Sequence, residues 1–438
     1  MTIGPKPNLD RCASAEEGNI HPQQLVHTSI GRATSPIEPL LVKWPLMQPL
    51  EGITVIALEQ AVAAPLATRH LADLGARVIK IERPGAGDFA RGYDTTVRGM
   101  SSHFVWLNRS KESLTLDVKA VEAKDVVARL LSRADVFVQN LAPGAAQRLS
   151  LGSDELRKNY PKLIVCNVSG YGASGPYRDK KAYDLLIQSE AGLLSITGTE
   201  EEPAKAGISV ADIAGGMYAY SAILTGLLMR QRTGQGTTIE VSLFEALAEW
   251  MGYPAYYTKY GGNAPARTGA THAAIAPYGP FQSADEKPVF LSIQNEREWE
   301  QFCHVVLKHG ELAKDFRFNS GPARVANRAD LHAAIDEVFR RLSASDIVAR
   351  LEEAHIANAR MNSIQEFLEH PQLAIRNRWR NVDSPVGKLS ALIPPADLAD
   401  AEPVMGPIPS LGQHTNAILN EIGFDASALK DWRRRGVI

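Results

Sequence analysis

The sequence predicts a doubly wound α/β fold, with a Rossmann-like large domain and a smaller α/β domain. Three observations predict it. Short β-branched runs alternate with helical stretches between residues 53 and 170. The first strand-helix-strand unit closes within about 30 residues, the length of a parallel crossover. A second set of strands and helices starts only after an irregular Gly-, Pro- and Tyr-rich stretch at 258–287.

The run ITVIALE (53–59) is short, apolar and β-branched, as a buried strand should be. Residues 61–75 read as a helix ended by Gly75, a natural residue just past a helix end. ARVIKIE (76–82) is the next strand. Strands follow at 113–118, 134–140 and 163–170, with helices at 121–132 and 153–160 between them. Longer helices are expected over 182–197 and from Asp212 to Gln231, the latter closed by the turn TGQG (233–236). TTIEVS (237–242) is a further strand, and FEALAEW continues as helix. Beyond the irregular stretch, VFLSI (289–293) opens the second region. Its helices are placed near 296–308, 328–342 and 345–354, and a further one at 363–371 ends at Pro371. Strands near 379–393 and two short helices near 413–423 and 426–435 complete the chain.

Composition narrows the function classes. A hydrophobic share of 45% and a charged share of 22% are those of an ordinary globular chain. A net charge of -2 gives no basic surface for nucleic acid or a membrane. No apolar run reaches the roughly 18 residues of a membrane span. The three cysteines, Cys12, Cys166 and Cys303, form no CxxC pair, so neither a disulfide framework nor a zinc site is indicated. A reducing, cytoplasmic location is expected. Residues 1–48 are rich in Pro, Ser, Thr, Asn and Gln and lack periodicity. They read as a disordered extension.

Several motifs tempt and fail. GYGASG (170–175) matches GxGxxG, but it follows a late strand, and Pro176 with polar residues follows it instead of a helix. A dinucleotide site needs a helix N-terminus there to face the pyrophosphate. The stretch therefore reads as a Gly-rich loop packed close to a neighbour. GxxxxGK[ST], HExxH and GxSxG do not occur, and the histidines are scattered, so no metal is expected. Asp212 precedes a helical run. Its plain role is that of N-cap, where oriented N–H groups also favour negative charge. Gly215 and Gly216 would leave the first turn open to a ligand.

From Pro49 onward the chain resembles the class III CoA-transferases, the family of formyl-CoA transferase and carnitine CoA-transferase. Seven blocks carry the resemblance, in order: PLEGITVIALEQ, LADLGARVIKIERPGAGD, ADVFVQNLAPGAAQRLSLG, SGYGASGPY, AYDLLIQSEAGLLSITG, ADIAGGMYAYSAILTGLLMRQRTGQG and IPSLGQHTNAIL. The resemblance implies that Asp212 is a nucleophile, working through an aspartyl anhydride and an aspartyl-CoA thioester. The helix-start N–H groups around it would then serve the oxyanion. It places Gln60 beside the thioester. It implies CoA contacts from Arg83, Asn140, Arg148, Lys181 and Tyr183, with Asp184 in a supporting role. Coenzyme A enters as co-substrate, and no permanently bound cofactor is implied.

The resemblance also implies the partners: acyl-CoA, small carboxylic acids and a second copy of the chain in an interlocked dimer. It divides the chain into a large domain over 49–257, completed by about 385–438, a linker and active-site loop over 258–287, and a small domain with return linker over 288–384. Related racemases carry His-Asp where this chain has Tyr183-Asp184. A tyrosine that ordinarily titrates near 10 is a poor base for an α-proton, so transfer is favoured over racemisation. A CoA-binding protein without catalysis is the third reading. The loop GGNAPARTGATHAAIAPYGPF is most similar to the branch acting on dicarboxylates, including the mesaconyl-CoA C1–C4 type, in which CoA shifts within one molecule. An intermolecular succinyl-CoA:dicarboxylate transfer is the alternative. Arg267 and His272 are the candidates for holding the free carboxylate of such a substrate.

Overall fold

The computed structural model describes residues 48–438. The expectation of a disordered extension over 1–48 falls, Gln48 apart, outside the described residues. Six strands form the main sheet: β1 (Thr54–Leu58), β2 (Arg77–Glu82), β3 (Lys111–Thr115), β4 (Val136–Gln139), β5 (Ile164–Ser169) and β6 (Thr238–Ser242). All pair in parallel in the order β3-β2-β1-β4-β5-β6. This is the doubly wound order, in which the chain reverses its direction of growth between β1 and β4.

The strands are apolar on both faces because helices cover both. Val55 and Ala57 of β1, with Val136 and Val138 of β4, enter one core with the helices Ala63–Asp73 and Val210–Thr233. Ile56, Leu58 and Phe137 point the other way, into a core with the helices Ala123–Leu131, Thr415–Glu421 and Ala426–Arg434. Period-2 alternation between two buried faces is why these strands read as continuous apolar runs. The C-terminal helices are tied to the β2–β3 edge. Arg77 holds both Glu112 and Glu421, and the Thr115 N–H donates to Thr415 Oγ1 at 2.9 Å.

A separate core carries the second region. Here β7 (Tyr278–Gln282), β8 (Pro288–Ser292) and β9 (Asn358–Arg360) form an antiparallel sheet. Helices Arg328–Phe339 and Ala344–Glu353 pack on it through Leu331, Ile335, Ile347 and Leu351. A hairpin of β10 (Trp379–Val382) and β11 (Leu389–Leu392) leads back toward the main sheet.

Four local expectations change. The helix expected over 182–197 is two, Asp184–Glu190 and Leu193–Ile196, broken where Gly192 takes a φ of +82°. The stretch read as irregular from 258 begins inside the helix Gly252–Gly261 and contains β7. The 296–308 helix becomes π-helical over Phe302–Leu307. A 3-10 turn at Phe89–Gly92 and a helix at Ser102–Leu107 were not read at all.

The two glycines after Asp212 serve packing. A Cβ on Gly216 would stand 2.6 Å from the Ala63 carbonyl, and one on Gly215 would stand 2.5 Å from Leu243 Cδ2. They let the Val210–Thr233 helix press onto its neighbours, which corrects the reading of them as room for a ligand. Gly170 does similar work in the GYGASG loop, where a Cβ would collide with Ala182. Alanine ordinarily stabilises a helix over glycine by about 1 kcal/mol. Overpacking at the Ala63 carbonyl costs more, so Gly216→Ala is expected to lose a net ~1–2 kcal/mol and a few degrees of melting temperature. An unchanged or raised melting temperature would show that this helix crossing tolerates more than its geometry allows.

Candidate active site

Ligands of doubly wound sheets bind beyond the carboxyl ends of the strands, where the chain reverses. Here that crevice lies past β1 and β4, and it is bordered by Gln60 and Asn140. The two residues clamp each other: the Gln60 N–H donates to Asn140 Oδ1 at 2.9 Å, and Asn140 Nδ2 donates to the Gln60 carbonyl at 2.8 Å. The next residue, Ala61, is held at a φ of +63°, and its N–H donates to Asp88 Oδ1 at 2.9 Å. A non-glycine residue in that region costs about 1–3 kcal/mol and persists only where its surroundings enforce it. The enforcement here is Asp88 on one side and Asn140 on the other. Gln60 Oε1 is buried without a protein partner, the state of an amide whose partner is a ligand or water.

Asp88 is itself fixed by buried charge. Its Oδ2 accepts from Lys80 Nζ at 2.7 Å. Lys80 also faces Glu59 at 3.4 Å, and Lys111 Nζ donates to the same Glu59 at 2.6 Å. The side chains of all four are fully out of solvent. Burial disfavours the charge on Glu59, but Lys111 and Lys80 overcome it and hold the carboxyl below its ordinary range.

Asp212 is brought to this crevice by the helix that carries it. Gly216, one turn on, lies against the Ala63 carbonyl. Ile213 packs against Val62, Leu66 and Leu107. The helix runs from Val210 with Ser209 as its N-cap, so Asp212 sits in the first turn and is not the cap. The capping carboxylate comes from elsewhere: Asp184 Oδ1 accepts the N–H of Ala211 at 2.8 Å and of Asp212 at 3.3 Å. Asp184 Oδ2 accepts from Gln188 Nε2 at 2.7 Å, and Gln188 Oε1 accepts the Ala206 N–H. The Val210 and Ile213 N–H groups donate to the carbonyls of Ile208 and Ser209. The first turn thus has its donors occupied, which corrects the expectation that they serve an oxyanion. Burial and then the nearby Asp184 charge push the Asp212 carboxyl up to about 7.

Tyr93 lies within electrostatic reach of this carboxylate. Burial, then the charges of Asp88, Asp212 and Tyr183, raise its hydroxyl above the ordinary tyrosine value. Sequence reasoning missed Tyr93, and its one signal was a position within the RPGAGDFARGY block. Tyr183, 71% exposed, precedes the helix that Asp184 opens.

The other predicted residues border the crevice less tightly. Arg83 follows β2, is exposed, donates to the Gly87 carbonyl and lies 4.4 Å over the Phe89 ring. Arg148 ends a short helix after β4 and Lys181 precedes Tyr183; both are exposed. Arg267 and His272 are engaged elsewhere. Arg267 donates to the Thr199 and Glu200 carbonyls at 2.8 and 2.6 Å. His272 stacks on Tyr278 with centroids 5.2 Å apart, and its Nδ1 accepts the Ala274 N–H. Both brace the loop, Arg267 through Nε and Nη2 and His272 through Nδ1.

A desolvated carboxylate near a switch-point crevice suits acyl transfer. The sequence profile of CoA-transferase family III matches residues 50–415. The chain belongs to CoA-transferase family III. Family members include an acyl-CoA transferase of Fusarium pseudograminearum, 34% identical over 89% of this chain and 88% of that protein. A succinyl-CoA:glutarate CoA-transferase of Mus musculus is 33% identical over 90% of this chain and 91% of that protein. The crystal structure of a CAIB/BAIF family protein from Brucella suis superposes with a TM-score of 0.75 at 33% identity, covering 86% of this chain and 99% of that one. The protein is therefore an enzyme of the transferase class.

The raised Asp212 value has a signed consequence for this transferase. An acid that titrates near 7 when folded and near 3.8 when unfolded keeps its proton longer in the folded state. Folding is then penalised increasingly as pH rises from about 4 to about 7, by up to 1.4 kcal/mol per pH unit, less what solvent access screens. Asp212→Asn removes the charge and not a cap. It is expected to raise the melting temperature more at pH 8 than at pH 5. A variant that is equally or less stable than wild type at pH 8 would show that Asp212 is not held in a costly charged state.

Proposed function

We propose that this enzyme transfers coenzyme A between dicarboxylic acids, with Asp212 as the covalent carrier. The observation that carries the proposal is the Asp212 carboxylate, partly desolvated and pushed up to about 7, in the first turn of a helix that packs on the residues following Gln60. The succinyl-CoA:glutarate relative named above supports the substrate class. It also favours transfer between two acids over the C1–C4 shift within one molecule, which the loop pattern put first.

In the proposed route an oxygen of Asp212 attacks the thioester carbonyl of the donor. The C–S bond breaks, CoA leaves as thiolate, and a mixed acyl–aspartyl anhydride remains. The thiolate attacks the Asp212 carbonyl carbon and releases the donor as its carboxylate, leaving an aspartyl-CoA thioester. An acceptor carboxylate attacks that thioester and forms a second anhydride, again expelling the thiolate. The thiolate then attacks the acceptor carbonyl, forming the new acyl-CoA and restoring Asp212. No proton is consumed, and one thioester replaces another, so the exchange needs no other energy source. Each attack makes an oxyanion, and the Gln60 amide and Tyr93 hydroxyl are the donors we assign to it. Arg83, Asn140, Arg148, Lys181 and Tyr183 are assigned to CoA, whose phosphates suit the two arginines.

We also propose that the enzyme works as the interlocked homodimer implied by its family. Trp250, Tyr253, Tyr256, Tyr257 and Tyr260 are exposed on the consecutive helices Leu243–Trp250 and Gly252–Gly261, an apolar face of the kind that partners cover. Sedimentation at micromolar concentration is expected to give twice the chain mass, and a monomer would remove this part of the proposal.

The chemistry is tested by incubating the enzyme with succinyl-CoA and glutarate and following glutaryl-CoA. Asp212→Ala and Asp212→Asn are expected to lose at least a thousandfold in rate, and wild type trapped with hydroxylamine should carry a hydroxamate on Asp212. A variant retaining a tenth of wild-type rate would end the nucleophile assignment. Because only the carboxylate attacks, kcat/KM should rise with pH through about 7 and level above it. Asp184→Asn, which removes the neighbouring charge, should move that limb to lower pH.

A further inference from the structure

A dicarboxylic substrate keeps one carboxylate free while the other reacts, and such a group needs a donor or a cation. Arg267 and His272 are engaged with loop carbonyls and a stacked ring, and a further candidate stands elsewhere. One wall of the crevice offers it.

The helix Ser102–Leu107 packs beside the nucleophile helix, because Leu107 contacts the same cluster as Ile213, the residue after Asp212. His103 lies one turn before Leu107, hence on the same face of that helix. Its ring meets the Tyr93 ring edge-on, with centroids 5.5 Å apart. Tyr93 in turn senses the Asp212 charge. His103 is thus in contact with Tyr93, on a helix that shares a cluster with the residue after Asp212.

His103 has the surroundings of a carboxylate receptor. Its Nδ1 is buried without a hydrogen-bond partner and stands 3.9 Å from Asp94 Oδ2. Asp94 is itself fixed, accepting from the N–H groups of Thr96 and Ser102 and from the Ser102 hydroxyl, which hold its carboxyl far below the ordinary range. Asp94 is the acceptor nearest the Nδ1 side of the ring, and an imidazole can present its second nitrogen to another group. The ring is 41% exposed, so a substrate can reach it. A histidine placed only to pack against Tyr93 would have no need of a braced carboxylate behind it.

We propose that His103, braced by Asp94 and flanked by Tyr93, binds the free carboxylate of the dicarboxylic substrate and sets the preference for diacids. The proposal rests on the reading of the enzyme as a dicarboxylate CoA-transferase and adds the residue that selects the substrate. His103 donates from one ring nitrogen to the carboxylate and keeps the other toward Asp94.

The test compares acceptors that differ only in the far carboxylate. With succinyl-CoA as donor, KM is measured for glutarate and for valerate in wild type, His103→Phe and His103→Gln. Phenylalanine keeps the edge-on contact with Tyr93 and removes the nitrogens; glutamine keeps a neutral donor and guards against a folding artefact. His103→Phe is expected to raise KM for glutarate at least tenfold and to move KM for valerate less than twofold. His103→Gln should fall between. Equal shifts for both acids, or none, overturn the assignment of His103 and leave the transfer reading intact. Failure of wild type to use any dicarboxylate overturns the transfer reading. In that case calorimetric binding of glutarate to the CoA-loaded enzyme decides for His103. Binding that His103→Phe abolishes upholds the site, and no binding overturns it as well.

Discussion

The reacting end of this molecule depends on the buried ion cluster of Glu59, Lys80, Lys111 and Asp88. Burying an unpaired charge costs several kcal/mol, and removing one partner of a buried pair typically costs about 3–5 kcal/mol. Each member here has an opposite charge beside it, and Glu59 has three partners in Lys80, Lys111 and the Thr68 hydroxyl. Glu82, one residue pair along β2, is matched by Arg91 and by Ser113. Such a lattice adds little net stability over a well-packed apolar core. What it provides is position. Lys80 fixes Asp88, Asp88 fixes the strained Ala61, and Ala61 sets the direction of Gln60. The same Asp88 caps the Phe89–Gly92 turn through the Ala90 N–H, and so places Tyr93. One cluster thereby fixes two walls of the crevice.

Asp184 imposes the opposite kind of constraint on Asp212. A carboxylate in the first turn of a long helix is ordinarily stabilised by the free N–H groups and the dipole. Here Asp184 accepts the nearest two N–H groups and adds a second negative charge, so burial and repulsion outweigh the dipole. A carboxylate whose charge is poorly stabilised is a stronger nucleophile and a poorer leaving group. Both properties would serve the proposed attack on a thioester and the anhydride that follows it. The same feature limits the enzyme, since a carboxyl near 7 is only partly ionised at neutral pH.

The fold was legible where physics is local. Strands buried on both faces must be short and apolar, so β1, β2, β4 and β5 stand out in the sequence. Gly75, at a φ of +97°, ends the first helix as its position suggested. The site was legible only in part. Gln60 and Asn140 meet because of sheet order, and the seven-block resemblance pointed to them. Periodicity alone did not. The Asp184 cap joins residues 27 and 28 positions apart, which no local pattern encodes. The helix Ser102–Leu107 is too short for a periodic signal, and His103 was hidden with it. The bracing of Arg267 and His272 was hidden too, because a sequence shows charge and not the carbonyls or rings around it. Gly215 and Gly216 looked like open space because a missing side chain reads the same whether a ligand or a neighbouring helix fills it.

The occupied lone pairs of Asp184 also bear on the choice between CoA transfer and proton transfer at the α-carbon. A racemase needs two bases, one on each face of that carbon, each free to take a proton. Asp184 offers about four acceptor positions, and two backbone N–H groups with the Gln188 amide fill three of them. Taking a proton there would convert an acceptor of these donors into a donor and break the cap of the helix that carries Asp212. Tyr183, beside it, is 71% exposed, and a neutral phenol at the surface is a weak base. Asp212 alone could move a proton but could not invert a centre from both sides. Covalent exchange asks less of this arrangement. It needs one desolvated carboxylate and no net proton, and Asp212 is such a carboxylate.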